Sequence, residues 1–289
     1  MGARGRLILI RSGAQEIGKS HASLKAALYS AYVSPHKNKT LLFDVQNEYG
    51  EYEIDMVKHR IKLIKHNEII KFGLQQQVEV RRIIPFHPNG QPMSPDETEK
   101  LLIKTLTEFR GGTILIEDMS SIMGDNLKDE VIGKLCTVRH RNCDLVIHFQ
   151  SIGRFSKILR QNAKIVSYHY QLDSILDCKE TLKSEYEIFS IVEKLVNRQF
   201  REGNKYFHVD VYRMVKLVQG KFSERMFADA CRDYVYEHAS STYLYEKRRN
   251  TLGKKMYTYD EAVKLKVRDL FDKYYGNVVL DPAKNKQTA

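Results

Sequence analysis

Gly13-Ala14-Gln15-Glu16-Ile17-Gly18-Lys19-Ser20 has the spacing of a phosphate cradle. The two glycines let the backbone bend so that successive N–H groups and the following helix N-terminus face an anion. Lys19 can reach the outer phosphates of a nucleoside triphosphate, the Ser20 hydroxyl can ligate magnesium, and His21 borders the same loop. That chemistry requires a strand before the loop and a helix after it. Leu7-Ile8-Leu9-Ile10 supplies the apolar run, and a helix-like segment continues to about Tyr32.

A second candidate is the pair Glu117-Asp118, which follows Thr113-Ile114-Leu115-Ile116. Two carboxylates at a strand end can divide the work of hydrolysis: one holds magnesium through water and the other orients the attacking water. The third is Gln150, at the end of the buried strand Asp144–Ser151. If that strand lies between the phosphate-loop strand and the paired-acid strand, Gln150 stands beside the γ-phosphate. Arg139 and Arg141 lie just upstream of it, and Arg154 and Arg160 just downstream. An exposed arginine offered to a neighbouring subunit's nucleotide could neutralise transition-state charge.

Other elements position these groups. Thr40–Val45 reads as a buried strand ending at Gln46-Asn47-Glu48-Tyr49-Gly50; Asp44 and Glu48 there suit either a ligand edge or a turn held by Asx-type hydrogen bonds. Residues 55–80 show no clear period. A short strand from Arg81 to Phe86 leads into a proline-rich loop, and Ser94-Pro95-x-Glu97 then opens a helix that ends at Gly111-Gly112. A helix is expected from about Asp125 to Arg139, and a strand from Lys164 to Gln171.

Beyond Asp173 the pattern is mainly helical, with helices over 173–201, 222–250 and 258–275 and one strand over 206–212. The expected organisation is a core carrying the phosphate loop over 1–172, a mainly helical extension over 173–280 and a flexible tail over 281–289. Residues 201–289 hold 18 Lys and Arg against 12 Asp and Glu, so they carry +6 of the net +11. A basic excess of this kind suits a polyanionic partner. Within it, Lys247, Arg248, Arg249, Lys254 and Lys255 are flanked by Tyr243, Tyr245, Tyr257 and Tyr259. Cations and aromatics together can bind phosphates and stack bases, although tyrosines at helical spacing also pack.

Cys136, Cys143, Cys178 and Cys231 show no C-x-x-C spacing, so a reducing compartment is expected. Cys136-x3-His140-x2-Cys143 lacks a clear fourth ligand for zinc. No apolar run reaches the ~18 residues of a membrane span.

Four motifs in order resemble the FtsK–HerA superfamily of P-loop ATPases: the phosphate loop, Asp44-x-x-x-Glu48-Tyr49, Glu117-Asp118, and Arg139 followed by the strand ending at Gln150. The likeness covers about residues 5–172. The acid pair departs from the usual order, being Glu-Asp rather than Asp-Glu or Glu-Glu. The compact layout is most similar to the small viral genome-packaging ATPases. The resemblance implies an α/β fold with a mainly parallel RecA/ASCE-like sheet flanked by helices, with ATP and Mg2+ as ligands. It also implies DNA as substrate, a homo-oligomeric ring (a hexamer), and capsid or portal partners in the host cytoplasm or virion. Arg139 would complete a neighbour's site, with Arg141 second in line.

Competing classes remain open: a conjugative or plasmid/chromosome DNA-transfer ATPase, and a nucleotide-gated DNA-binding assembly subunit with little turnover. A GTPase would need a guanine-reading N-K-x-D, and none follows the appropriate strand. A small-molecule kinase would not need Glu117-Asp118 and Gln150 together.

Overall fold

A computed structural model describes residues 7–54, 56–123 and 128–276. The chain divides into two compact units, Met1–Ile165 and Val166–Ala289. The first unit runs β1 (Ile8–Ser12), α1 (Lys19–Leu28), β2 (Thr40–Phe43), the hairpin β3 (Glu51–Ile54) and β4 (Val57–Arg60), then β5 (Lys62–Leu63) and α2 (Ile69–Leu74). It continues through β6 (Val80–Ile83), α3 (Pro95–Glu108), β7 (Thr113–Ile116), α4 (Met119–Met123), α5 (Asp129–Thr137), β8 (Asp144–Phe149) and α6 (Lys157–Asn162).

Its strands follow the order β1-β8-β7-β2-β6-β5, each pair parallel. Ile10, Leu41, Leu42, Phe43, Ile114, Ile116, Leu145 and Ile147 are all fully buried. Burial on both faces is why these strands read as continuous apolar runs rather than alternating ones. Parallel strands share a carboxyl edge, so the loop after β1 and the turns after β2, β7 and β8 come together there. β8 pairs with β1 on one side and β7 on the other, which puts Gln150 between the glycine loop and the acid pair.

Leu24, Ala27, Leu28 and Ala31 fix the first helix by packing with Leu42, Ile61, Val80 and Leu115. Regular α geometry stops at Leu28, short of Tyr32, and a wider π turn over Tyr29–Val33 precedes Pro35. Proline disfavours helical geometry in the residue before it, and Ser34 is extended (ψ 140°). The Ser94 capping box is formed: Ser94 Oγ accepts from Glu97 N while the Glu97 carboxylate accepts from Ser94 N. Residues 55–80, without a clear period, hold two short strands and a six-residue helix. Such short pieces leave too few residues to establish a repeat.

The strand expected over 164–171 is β9 (Ile165–His169), at the boundary between the units. The second unit then contains α7 (Lys179–Leu182), α8 (Tyr186–Arg201), β10 (His208–Tyr212), β11 (Leu217–Gly220), α9 (Glu224–Glu237), α10 (Tyr243–Glu246) and α11 (Tyr259–Tyr274). Two helices expected to be continuous are broken. Lys183 takes a φ of 48°, which no α-helix accommodates, and separates α7 from α8. His238, at φ −116° and ψ 67°, ends α9 before the shorter α10. Phe189, Leu195, Phe227, Cys231, Val235 and Leu270 form the helical core. Glu187 joins α8 to α11 by accepting from Lys273 at 2.7 Å and from the Tyr274 hydroxyl at 2.6 Å.

The expected mainly parallel α/β sheet flanked by helices is present, with a glycine loop joining β1 to α1, and the second unit is largely helical. All four cysteines are free thiols, and no helix among the described residues is long and apolar enough to cross a membrane. The helix start expected at Asp125 and the tail from Asp281 lie outside the described residues.

Candidate nucleotide site

Gly13 N donates to Phe149 O at 3.1 Å, extending the β1–β8 ladder by one residue before the chain turns into the loop. Glu16 (φ 56°) and Gly18 (φ 83°) both occupy the left-handed region, and Gly18 forms the N-cap of α1. Glycine adopts this geometry freely; for Glu16 it is a strained turn. Lys19 folds back, its ammonium donating to Gly13 O at 2.5 Å and to Ala14 O. Burial lowers the Lys19 pKa to about 8, against the opposing pull of Asp118 and Glu117.

The two acids part at the end of β7. Glu117 N donates to Phe43 O at 3.3 Å and continues the sheet, whereas Asp118 turns into the left-handed region at φ 40°. A non-glycine residue held there costs on the order of 1–3 kcal/mol, and such strain gathers at functional sites. Glu117 is 6% exposed. Its Oε2 accepts from Ser20 Oγ at 2.7 Å and meets His148 Nδ1 at 3.1 Å, while Oε1 is buried with no hydrogen-bond partner. Burial acts to raise the Glu117 carboxyl, but His148, Ser20 and Lys19 together hold it below the ordinary carboxylate value. Asp118 Oδ1 accepts from Gln150 Nε2 at a long 3.4 Å.

These groups line a cavity of about 540 Å³, bounded by Gln15 to His21, the turn after β2 with Glu48 and Tyr49, Tyr52, Glu117, Asp118 and His148 to Gln150. Gly13 and Ala14 contribute the carbonyls that hold Lys19 rather than cavity wall. The Tyr49 phenol is kept protonated, first by burial and then by the Glu117 charge. Among the described residues no three His, Cys, Asp or Glu side chains gather as a metal cluster. Magnesium bound with a nucleotide needs no such cluster, because phosphates and waters supply most ligands. One hydroxyl, one carboxylate close to it and an unpartnered carboxylate oxygen fit that ion.

Asp44 is fully buried and accepts from Glu48 N at 3.0 Å, Tyr49 N at 3.1 Å and Arg82 Nη1 at 2.8 Å. It therefore holds the turn that sets Glu48 and Tyr49 in the cavity wall. Cys143 is buried, its thiol 3.6 Å from both the Phe109 and the Arg141 carbonyl oxygens.

No family model matches the chain, and no curated protein matches it in sequence. Among solved structures it is similar to the genome packaging NTPase B204 from Sulfolobus turreted icosahedral virus 2. With the ATP-gammaS complex it shares 14% identity over 75% of this chain and 96% of that one, at a TM-score of 0.47. With the AMP complex the figures are 12%, 76%, 98% and 0.48. The N-terminal domain of zonular occludens toxin from Neisseria meningitidis is 11% identical, covering 62% of this chain and 91% of that one at a TM-score of 0.36.

Not every expected residue joins the site. Arg139 is exposed and Arg141 half-buried in the turn before β8, whose other end carries Gln150. Six residues of strand span ~20 Å, so neither arginine reaches the phosphate edge of its own chain. Arg154, four positions beyond Gln150, is exposed on that edge. Lys247, Arg248, Arg249, Lys254 and Lys255 belong to the second unit and are all exposed. They form a basic turn closed by an Arg249–Lys255 bridge, with Lys247 4.1 Å above the Tyr243 ring and Arg248 5.2 Å from that of Tyr245.

Three polar residues were missed from sequence: Arg11, Ser23 and His148. The available signal was position, since His148 stands two residues before Gln150 and both line the cavity. A histidine inside the apolar run Leu145–Phe149 has to find a buried partner.

Proposed function

We propose that this chain is an ATP-hydrolysing motor that translocates DNA in a homo-oligomeric ring, as a viral genome-packaging ATPase in the host cytoplasm or virion. The observation that carries the reading is the convergence of Lys19, Ser20, Glu117, Asp118 and Gln150 around one cavity, with the two carboxylates differently engaged. Lys19 would exchange its loop carbonyls for β- and γ-phosphate oxygens. Ser20 and Glu117 would hold magnesium, Glu117 through water, and the ion would neutralise charge on the phosphates. Asp118 would accept the proton of the attacking water as its oxygen bonds to the γ-phosphorus and the bond to ADP breaks. Gln150, bonded to Asp118, would report the presence of the γ-phosphate. The motif resemblance and the basic excess of residues 201–289 support DNA as the substrate.

Steady-state ATPase measured with and without DNA tests this. The wild type should be stimulated by DNA, and Asp118→Asn should bind ATP yet turn it over at least ~100-fold more slowly, the scale of a lost general base. A phosphorylated small product would make the chain a kinase, and binding without turnover would make it a nucleotide-gated assembly subunit. Near-normal turnover in Asp118→Asn with collapse in Glu117→Gln would reverse the two acid roles.

A further inference from the structure

Behind Glu117 runs a buried chain of hydrogen bonds across four elements. Arg11 Nε on β1 donates to Ser23 Oγ on α1 at 2.8 Å, Ser23 Oγ lies 2.7 Å from His148 Nε2 on β8, and His148 Nδ1 lies 3.1 Å from Glu117 Oε2. Arg11, Ser23 and His148 are 8%, 5% and 1% exposed, so solvent supplies none of these bonds.

The direction of each bond follows from what each group can do. An arginine is a donor only, so the Ser23 oxygen accepts from it. Ser23 has one proton left to give, and His148 Nε2 lies within its reach. An ionised Glu117 accepts only, so His148 Nδ1 has to donate. The geometry thus places a proton on Nδ1, facing Glu117, while Nε2 is held against the Ser23 hydroxyl.

We propose that His148 is a positioning residue for Glu117: the Nδ1–H pins Oε2 and leaves Oε1, which has no partner, as the oxygen available to a nucleotide-bound magnesium. This rests on the reading of Glu117 as the magnesium-side acid. Partners behind a metal-side ligand orient it, and their loss typically costs about 10–100-fold in metal affinity. Ser23 and Arg11 act one step further back by holding the far side of the imidazole ring.

Two measurements on the full chain test it. Nitrogen NMR of the nucleotide-free, 15N-histidine-labelled protein should show His148 protonated on Nδ1, its signal assigned by its loss in His148→Asn. Fluorescent-ATP titrations with magnesium and with EDTA should show His148→Ala lowering the magnesium-dependent gain in affinity about tenfold. Affinity in EDTA should fall by less than the magnesium-dependent gain does, as a general loss of structure would not allow. His148→Asn, whose amide N–H stands near the Nδ1 position, should recover most of the gain. An Nδ1 without a proton, or an unaltered magnesium gain in folded His148→Ala, overturns the proposal. Should His148→Ala fail to fold, the Nδ1 proton and the Asn variant decide. Glu117→Gln separates the two levels. A magnesium gain that survives Glu117→Gln removes the reading of Glu117 itself, and one lost there but kept in His148→Ala removes only the role of His148.

Discussion

Glu117 and Lys247 are both charged side chains with aromatic neighbours, yet they are held in opposite ways. Glu117 is buried and bonded to Ser20 and His148, within a chain that runs back through Ser23 to Arg11. Lys247 and Arg248 stand exposed over Tyr243 and Tyr245, rings three or four residues earlier in the same segment. A buried ion without partners costs several kcal/mol, so the fold has to specify where each bond of the first group goes. Exposed cations over rings gain only ~0.5–1 kcal/mol from them, and their geometry is correspondingly free. Substitutions at the phosphate edge should therefore act sharply and locally. Those at the basic turn should act weakly and in proportion to charge.

An exposed residue with an effect as large as any buried one would break that comparison most severely, and Arg139 is the candidate. It cannot reach its own chain's phosphate edge, so any catalytic effect has to come through a neighbouring copy. Arginine fingers contribute about 10³–10⁵ in rate, and Arg139→Ala should lose activity on that scale while ATP affinity is little changed. Mixing inactive Arg139→Ala with inactive Lys19→Ala should restore turnover, because some interfaces then contain both native groups. Arg154→Ala and Arg141→Ala are the informative controls. If Arg154→Ala collapses and Arg139→Ala does not, the finger belongs to the phosphate edge. Full activity in a monomer would remove the shared site altogether.

Lys19 comes next. Lys19→Ala should weaken ATP binding about 100-fold, the upper range for hydrogen bonds made by a charged group. Its pH dependence sharpens the point. The free protein's Lys19, lowered to about 8 by burial, is neutral above that pH. Phosphates favour the ammonium, so binding above pH 8 takes up a proton, and affinity should fall as pH rises, by at most about tenfold per unit. Calorimetry in buffers of different ionisation heat should detect that proton, and Lys19→Ala should abolish the uptake. The sign for folding is the reverse. Between about 8 and the ordinary lysine value of 10.5 the unfolded chain binds more protons at this position, so nucleotide-free stability gains with pH there.

The same contrast explains what could be read from the chain. The glycine loop, the acid pair and Gln150 lie on contiguous apolar strands, and parallel pairing brings all strand ends to one edge whatever the loops between them do. The order β1-β8-β7 that places Gln150 between the other two follows from pairing. His148, Ser23 and Arg11 were not legible in the same way, because each is an isolated polar residue within an apolar or helical pattern and becomes meaningful only once β1, α1 and β8 pack together. The helix breaks at Lys183 and His238 are illegible for a different reason: neither residue type signals a break, although both depart from helical geometry. At Asp44, where spacing left a turn and a ligand group equally open, three hydrogen bonds assign it to the turn.

The smallest effects are expected at the basic turn. If Lys247, Arg248, Arg249, Lys254 and Lys255 contact DNA, they do so as exposed point charges, and their contribution is mostly the release of counterions from the phosphates. The logarithm of affinity should then fall linearly with the logarithm of salt concentration, and each phosphate contact removed should reduce that slope by ~0.9 on duplex DNA. Lys247→Gln alone should change affinity only a few-fold at moderate salt, since screening within ~10 Å limits any single exposed charge. Replacing all five cations by Gln should flatten the slope further, and the loss should be nearly the same for DNA of any sequence, because phosphates carry no base information. Tyr243→Leu removes the ring beneath Lys247 without altering charge, so it should leave the slope intact while lowering affinity by no more than a stacking or cation–π contact provides. Fluorescence anisotropy with labelled DNA across a salt series reads all three. DNA-independent ATPase and ATP affinity should not move in any of these variants, because none of the altered side chains lines the nucleotide cavity. An unchanged slope after removal of all five cations would exclude the turn as a DNA contact while leaving the nucleotide site untouched.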